Sequence, residues 1–102
     1  MHRASDRLEE EDALELLEEG MSALDLRADV RAIATDLYLS ALPLDDRSKP
    51  AAIAASTYTA ALIAGEERSQ SAVASAFDVS RLAVQQRWKR MLNDSGFSPP
   101  EW

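Results

Sequence analysis

The stretch PAAIAASTYTAALIAG, residues 50–65, decides the fold because it contains no charged side chain. A helix that is apolar nearly all round is buried, and small alanine side chains let neighbouring helices approach it closely. Proline is favoured in the first turn of a helix, and glycine tolerates the left-handed conformation that ends one. We therefore predict a central helix over residues 50–64, opened by Pro50, closed by Gly65 and surrounded by other helices.

Four more helices are predicted on either side of the central one, at residues 6–19, 27–42, 70–77 and 81–93. In the first, apolar residues share one face: Leu14, Leu17, Met21 and Leu24. In the second, apolar residues also recur at helical spacing: Val30, Ile33, Ala34, Leu37 and Ala41. Gly20 and Pro43 are the expected ends of these two helices. No stretch alternates apolar and polar residues over the length of a strand, so the predicted fold class is all-α in one domain, residues 1–102.

The composition argues against several kinds of site. The chain has no cysteine and one histidine, His2, so we expect neither disulfides nor a metal site. No nucleophile–base pair or phosphate-binding loop is visible, so we expect neither an enzyme nor a bound cofactor. The apolar stretches are too short to span a membrane, and MHRASDRLEEED at the start lacks the hydrophobic core of a secretory signal. The expected protein is soluble and cytoplasmic.

Charge is unevenly distributed along the chain, whose formal net charge is -7. Residues 1–49 hold 13 acidic and 6 basic side chains, whereas residues 50–102 hold 5 of each. Arginine outnumbers lysine nine to two, and alanine is abundant. Dense carboxylates keep a protein soluble in high salt, so this composition indicates a salt-loving organism. An ordinary mesophilic protein with one acidic helix is the alternative.

The stretch SQSAVASAFDVSRLAVQQRWKR, residues 69–90, meets the packing requirements of a helix-turn-helix. Ser69 and Ser80 are suitable N-caps for its two helices. Ala74 is small enough for the second helix to cross the first, and Asp78 tolerates the positive φ that the turn needs. Apolar residues flank the corner: Val73, Phe77, Val79 and Val84. Further along, Val84, Trp88 and Met91 are expected to pack inward.

The opposite side of the second helix is basic and rich in amides, with four cations and no acid over residues 81–93. Arginine and glutamine form paired hydrogen bonds with base edges, and cations contact phosphates. The candidates for facing bases are Arg81, Leu82, Gln85 and Gln86. The candidates for facing the DNA backbone are Arg68, Gln70, Lys89 and Arg90. The alternative is a solvated helix face, because many helix–corner–helix units bind no DNA.

Several features of residues 49–92 occur together in one known family. They are an alanine-rich helix opened by Pro50, GEERSQ at residues 65–70, the pair Val73 and Ala74, the triplet DVS, and a helix that closes with Arg87, Trp88 and Lys89. This segment resembles the C-terminal cyclin-like repeat of archaeal transcription factor B, the counterpart of the eukaryotic general initiation factor IIB. Residues 1–48 agree in helix lengths only. The resemblance implies a five-helix cyclin-like repeat whose last helix enters the major groove at a promoter element beside the TATA box.

The chain departs from this family in two respects. It has one repeat where the family has two and no zinc ribbon, which implies a stand-alone module that neither recruits polymerase nor clasps the TATA-binding protein in the usual way. Leu82 and Gln85 stand where the family tends to place valine and then arginine. Arginine is the donor best suited to guanine, so we expect a DNA site other than the usual promoter element.

These observations together predict a DNA-binding module that modulates transcription. The expected partner is double-stranded DNA. Further candidate partners are a TATA-binding protein, another transcription factor or a second copy of the chain. The alternative is a cyclin-like protein-interaction module that binds a transcription factor without contacting DNA.

Overall fold

A computed structural model describes the backbone of residues 2–40 and 49–96 and, apart from Ser95, the side chains from Asp12 onward within those ranges. The elements are five α-helices, and no strand occurs in this part of the chain: α1 (His2–Ala23), α2 (Ala28–Ser40), α3 (Lys49–Ala64), α4 (Gln70–Ala76) and α5 (Arg81–Ser95). The predicted all-α class is confirmed. The features predicted at Ala41, Leu42 and Pro43, and the tail after Gly96, lie outside the described residues.

The helix α3, which contains the charge-free residues 50–64, is the centre of the fold, as predicted, and it contacts each of the other four helices. Every residue from Ala51 to Ala61 is buried. Three aliphatic hydroxyls lie within this run, and each donates to the carbonyl four residues earlier at 2.7–3.0 Å: Ser56, Thr57 and Thr59. These bonds remove the cost of burying an unpaired polar group, so α3 can lie inside the bundle.

The helix α1 extends beyond its predicted end, and the expectation that Gly20 ends it is wrong. The helix continues to Ala23, and the residue in the left-handed conformation is Asp25, with φ 56. The Leu26 N–H donates to the Met21 carbonyl at 3.1 Å, which closes the end. A Cβ on Gly20 would lie 2.2 Å from the Phe77 ring, so this glycine lets α1 approach α4 closely.

The apolar faces predicted for α1 and α2 cover α3. Their buried members are Leu17, Met21, Leu24, Val30, Ala34 and Leu37, and Tyr38 is buried beside them. Leu14 and Ile33 are half-buried. Charged side chains cover the outer faces, and in residues 2–40 and 49–96 no helix has the length and apolar character needed to cross a bilayer.

Arg27 ties the start of α2 to the end of α3. Its guanidinium donates to the Asp29 carboxylate at 3.1 Å and to the Ala64 carbonyl at 3.3 Å. The Glu66 carboxylate lies 3.6 Å from the same guanidinium. The hydrogen bond from Arg27 holds the pKa of Asp29 below its usual range, and the attraction between the opposite charges acts in the same direction.

This pair predicts a specific acid sensitivity. Because the pKa of Asp29 is lower in the folded chain, its contribution is fully present above the unfolded-state pKa and is lost as the pH falls through the folded-state value. We expect denaturant unfolding, followed from about pH 6 down to about pH 2, to show a smaller loss of stability for Asp29→Asn than for the wild type. Asp36→Asn, on the exposed face of α2, is the matched control. Identical acid profiles for the wild type and Asp29→Asn would contradict the prediction.

Candidate nucleic-acid interface

A tight turn at residues 77–80 joins α4 to α5. Asp78 adopts the left-handed conformation predicted for it, with φ 55. Its N–H donates to the Ser75 carbonyl at 3.2 Å, and the Val79 N–H donates to the Ala74 carbonyl at 2.9 Å. The Ser80 hydroxyl then accepts from the Ala83 N–H at 3.1 Å and caps α5, as predicted. These bonds satisfy the polar groups at the corner and fix where α5 begins.

The start of α4 and the burial of its apolar side also agree with the sequence. The Ser69 hydroxyl accepts from the Ala72 N–H at 3.0 Å, so it is the N-cap of α4. Val73, Ala74 and Phe77 are buried, and Val79 is half-buried. Ala74 is therefore in the interior, and its role in letting α5 cross α4 closely stays a prediction.

The inner face of α5 packs on α3. Val84 and Met91 are buried and Trp88 is half-buried, which confirms the predicted inward side. Leu92 is buried as well. The Trp88 ring meets the edge of the Tyr58 ring with centroids 5.4 Å apart. These contacts fix the rotation of α5 about its own axis and therefore decide which side chains face away from the bundle.

The outer face of α5 is exposed along its length. The six predicted site residues on this helix are all exposed: Arg81, Leu82, Gln85, Gln86, Lys89 and Arg90. Arg87 is exposed too. Since successive residues of a helix are about 100° apart, Leu82, Gln86 and Lys89 form a stripe opposite the buried Val84. The structure thus brings apolar, amide and cationic groups together on one convex surface.

The cations of α5 differ from Arg27 and Arg31 in their ion pairing. Arg27 pairs with Asp29, and Arg31 pairs with Glu18. Among the residues described, none of the four cations of α5 forms an ion pair with a carboxylate. The Lys89 ammonium lies 5.7 Å from the centroid of the Trp88 ring, within cation–π range. An anionic ligand can therefore bind this face without first breaking an ion pair between described residues.

Arg68 lies in a different setting from the α5 cations. Its guanidinium donates to the Leu24 and Asp25 carbonyls at 3.0 and 3.1 Å, beyond the end of α1. It also donates to the Glu66 and Glu67 carbonyls at 2.9 and 3.2 Å, in the segment before α4. These carbonyls engage four of the five N–H donors of Arg68, so we assign it a structural role, and its contact with phosphate stays a prediction.

Gln70, the other residue outside α5 that we expected to contact the DNA backbone, is not fully exposed either. The residue is half-buried at the start of α4, and its Oε1 is buried without a hydrogen bond from any described residue. Of the eight predicted site residues, six are exposed on α5, whereas Arg68 and Gln70 are half-buried at or just before the start of α4. Sequence reasoning missed the role of Arg68 because its partner carbonyls at Leu24 and Asp25 lie 44 and 43 residues away.

A second exposed surface lies on α1 and α2, on the acidic part of the chain. Asp12, Glu15, Glu18 and Glu19 are exposed on α1. A groove of about 360 Å³ runs between the two helices, with Leu14, Leu17 and Arg31 in its lining. In the part of the chain that the structure describes, no group of three or more His, Cys, Asp or Glu side chains could hold a metal ion.

Comparison with known proteins identifies the family. The family described as the transcription factor TFIIB repeat matches residues 8–94, a span that runs from α1 through the α4–α5 turn to the outer face of α5. No curated protein matches the chain. The family is one of transcription-factor domains and not of enzymes. The matched span covers most of the sequence and all five helices, so the chain belongs to the TFIIB repeat family.

Proposed function

We propose that the chain binds double-stranded DNA by placing α5 in the major groove, as the second helix of a helix-turn-helix, and that it thereby modulates transcription. The observation that carries this proposal is the exposed face of α5, where four cations that pair with no described carboxylate lie near exposed amide groups. The major groove admits an α-helix, and the first turns of such a helix contact base edges. The resemblance of residues 49–92 to the C-terminal repeat of archaeal transcription factor B supports the same orientation.

The proposed contacts divide by position along α5. Its first two turns would face base edges: Arg81, Leu82, Gln85 and Gln86. Its later cations would contact phosphates: Arg87, Lys89 and Arg90. We leave Arg68 out of the phosphate contacts because four of its five N–H donors are engaged by carbonyls. Three phosphate contacts give a slope of log affinity against log salt of about -2.7.

High salt affects DNA binding by this chain in two ways. At roughly 1 M salt the screening length is about 3 Å, so the net charge of -7 does not repel DNA over a distance. The same salt also weakens phosphate contacts, so one module holds a site weakly. We therefore propose that the chain acts together with a TATA-binding protein, another transcription factor or a second copy of itself.

Two substitutions on α5 test the proposal. Lys89→Ala is expected to weaken binding to all duplexes alike and to make the salt slope less negative by about 0.9, because one phosphate contact is lost. Gln85→Ala is expected to reduce the preference for a selected duplex over a scrambled one by about tenfold, because one base contact is lost. Both effects are measured by fluorescence anisotropy titrations in about 1 M salt, the regime in which screening is strongest.

The control for these titrations is Glu15→Gln, on the exposed face of α1, which is expected to bind as the wild type does. If Lys89→Ala and Gln85→Ala also bind every duplex as the wild type does, then α5 is not the DNA-binding surface.

The second candidate function is binding to another transcription factor without DNA. The exposed carboxylates of α1 and the groove between α1 and α2 favour this candidate, because they suit a basic partner segment. The same titration separates the two candidates. Absence of binding to any duplex, together with an affinity for a transcription factor that Glu15→Gln and Glu18→Gln lower, would support protein interaction.

A further inference from the structure

The first two turns of α5 carry side chains whose chemistry matches one kind of base pair. Leu82 is 57% exposed, and Gln85 and Gln86 are exposed beside it. Resting on the proposed function, we propose that these three residues make α5 a reader of A·T base pairs, with Leu82 against a thymine methyl and a glutamine on adenine. The ligand is therefore DNA whose contacted pairs are A·T and not G·C.

The position of Leu82 on α5 supports a thymine contact more strongly than its exposure does, because single exposed leucines are common on protein surfaces. Leu82 lies one turn before Gln86 on the stripe opposite Val84, so it points where the groove floor would be. Its neighbours on that side are amides and cations, so it offers a single apolar contact and not an extended patch. The thymine C5-methyl is the apolar group that the major groove displays.

The glutamines supply the second part of the recognition. A glutamine amide both donates and accepts, and it matches the N6 donor and N7 acceptor of adenine. Residues four apart on a helix are separated by about 6 Å along its axis, and stacked bases by about 3.4 Å. Leu82 and Gln86 can therefore reach a thymine and an adenine within about two base-pair steps of one another.

The cations near this stripe are less well placed to read guanine. Arg81 and Leu82 are consecutive, so their side chains diverge by about 100°, and Arg81 lies toward the flank of the helix. Lys89 lies two turns further along, with its ammonium 5.7 Å from the Trp88 ring centroid. Lys89 therefore suits a phosphate at the groove edge, and Arg81 suits a base edge at the margin of the contacted site better than the pairs at its centre.

The experiment begins with selection of duplexes from a random library by the full chain in about 1 M KCl, where screening is strong. The selected duplex is then titrated by anisotropy with each thymine in turn replaced by uracil, which removes only the methyl group. At one position we expect about a fourfold loss of affinity for the wild type, the effect of one buried methyl-sized group. Leu82→Ala is expected to bind the thymine and uracil duplexes equally.

The adenine contact is tested with 7-deazaadenine, which lacks the N7 acceptor. When 7-deazaadenine replaces an adenine near the sensitive thymine, we expect the affinity of the wild type to fall about tenfold. We expect no such fall in whichever variant lacks the adenine contact, Gln86→Ala or Gln85→Ala. Selected sites with G·C at these positions, or a uracil effect that persists in Leu82→Ala, would overturn the inference and leave DNA binding intact. Recovery of no duplex at all would overturn the proposed function itself.

Discussion

Replacing Gly20 by alanine is expected to destabilise the fold by about 1–3 kcal/mol, the usual cost of forcing extra volume into a packed interior. The new Cβ would lie 2.2 Å from two carbons of the Phe77 ring, and that ring is itself buried. Helix propensity predicts the opposite sign, because alanine in a helix interior is favoured over glycine by about 1 kcal/mol. The sign of the measured change in unfolding free energy therefore decides whether packing or propensity dominates at this position.

Chemical denaturation measures the effect, and two further variants show its origin. Ser22→Ala, exposed near the end of the same helix, is the control and is expected to be close to neutral. Phe77→Leu combined with Gly20→Ala is expected to cost less than the sum of the two single changes, because a smaller side chain leaves room for the added methyl. If Gly20→Ala proves more stable than the wild type, α1 does not approach α4 as closely as the structure shows.

Replacing Arg68 by alanine is expected to lower the unfolding free energy by about 2 kcal/mol, a moderate value for a charged donor whose acceptors become unpaired. The guanidinium joins two carbonyls after α1 to two carbonyls before α4. A cation is favoured at the C-terminal end of a helix, where the carbonyls lack partners within the helix. Arg68→Lys is expected to recover only part of the loss, because one ammonium cannot reproduce the planar fork.

Duplex titrations of Arg68→Ala distinguish a structural role for this arginine from a contact with DNA. Under conditions where Arg68→Ala is folded, we expect its salt slope for duplex binding to match that of the wild type. Arg90→Ala, on the exposed face of α5, is expected to behave in the opposite way, with unchanged stability and a slope less negative by about 0.9. A reduced slope in Arg68→Ala would return this residue to the phosphate contacts.

Much of the fold could be predicted because it depends on short-range patterns. The charge-free stretch at residues 50–65 predicted a central helix, and α3 is that helix. Ser69 and Ser80 predicted two helix starts, since a cap needs only the N–H groups three residues away. Asp78 predicted the left-handed turn between them for the same local reason. The inward side of α5 followed from the spacing of Val84, Trp88 and Met91.

The predictions that were incomplete concern contacts between residues far apart in the chain. Gly20 was expected to end a helix because glycine commonly does, but its role depends on Phe77. Arg68 was expected to contact phosphate because it is a cation before a helix, but its partners are carbonyls beyond the end of α1. No periodicity or motif within either segment encodes such a pairing.

The sequence by itself determined that this chain is a helical bundle built around the charge-free residues 50–64, and that its last helix has one apolar and one basic side. Those properties follow from which types of side chain recur at helical spacing. That spacing can be counted along the chain without knowing which residues lie nearby in space. Only the tertiary structure decided that, among the described residues, no cation of α5 pairs with a carboxylate and that Arg68 donates to four carbonyls. The physical reason is that hydrogen bonds and ion pairs act over a few ångströms in space, whatever the separation along the chain.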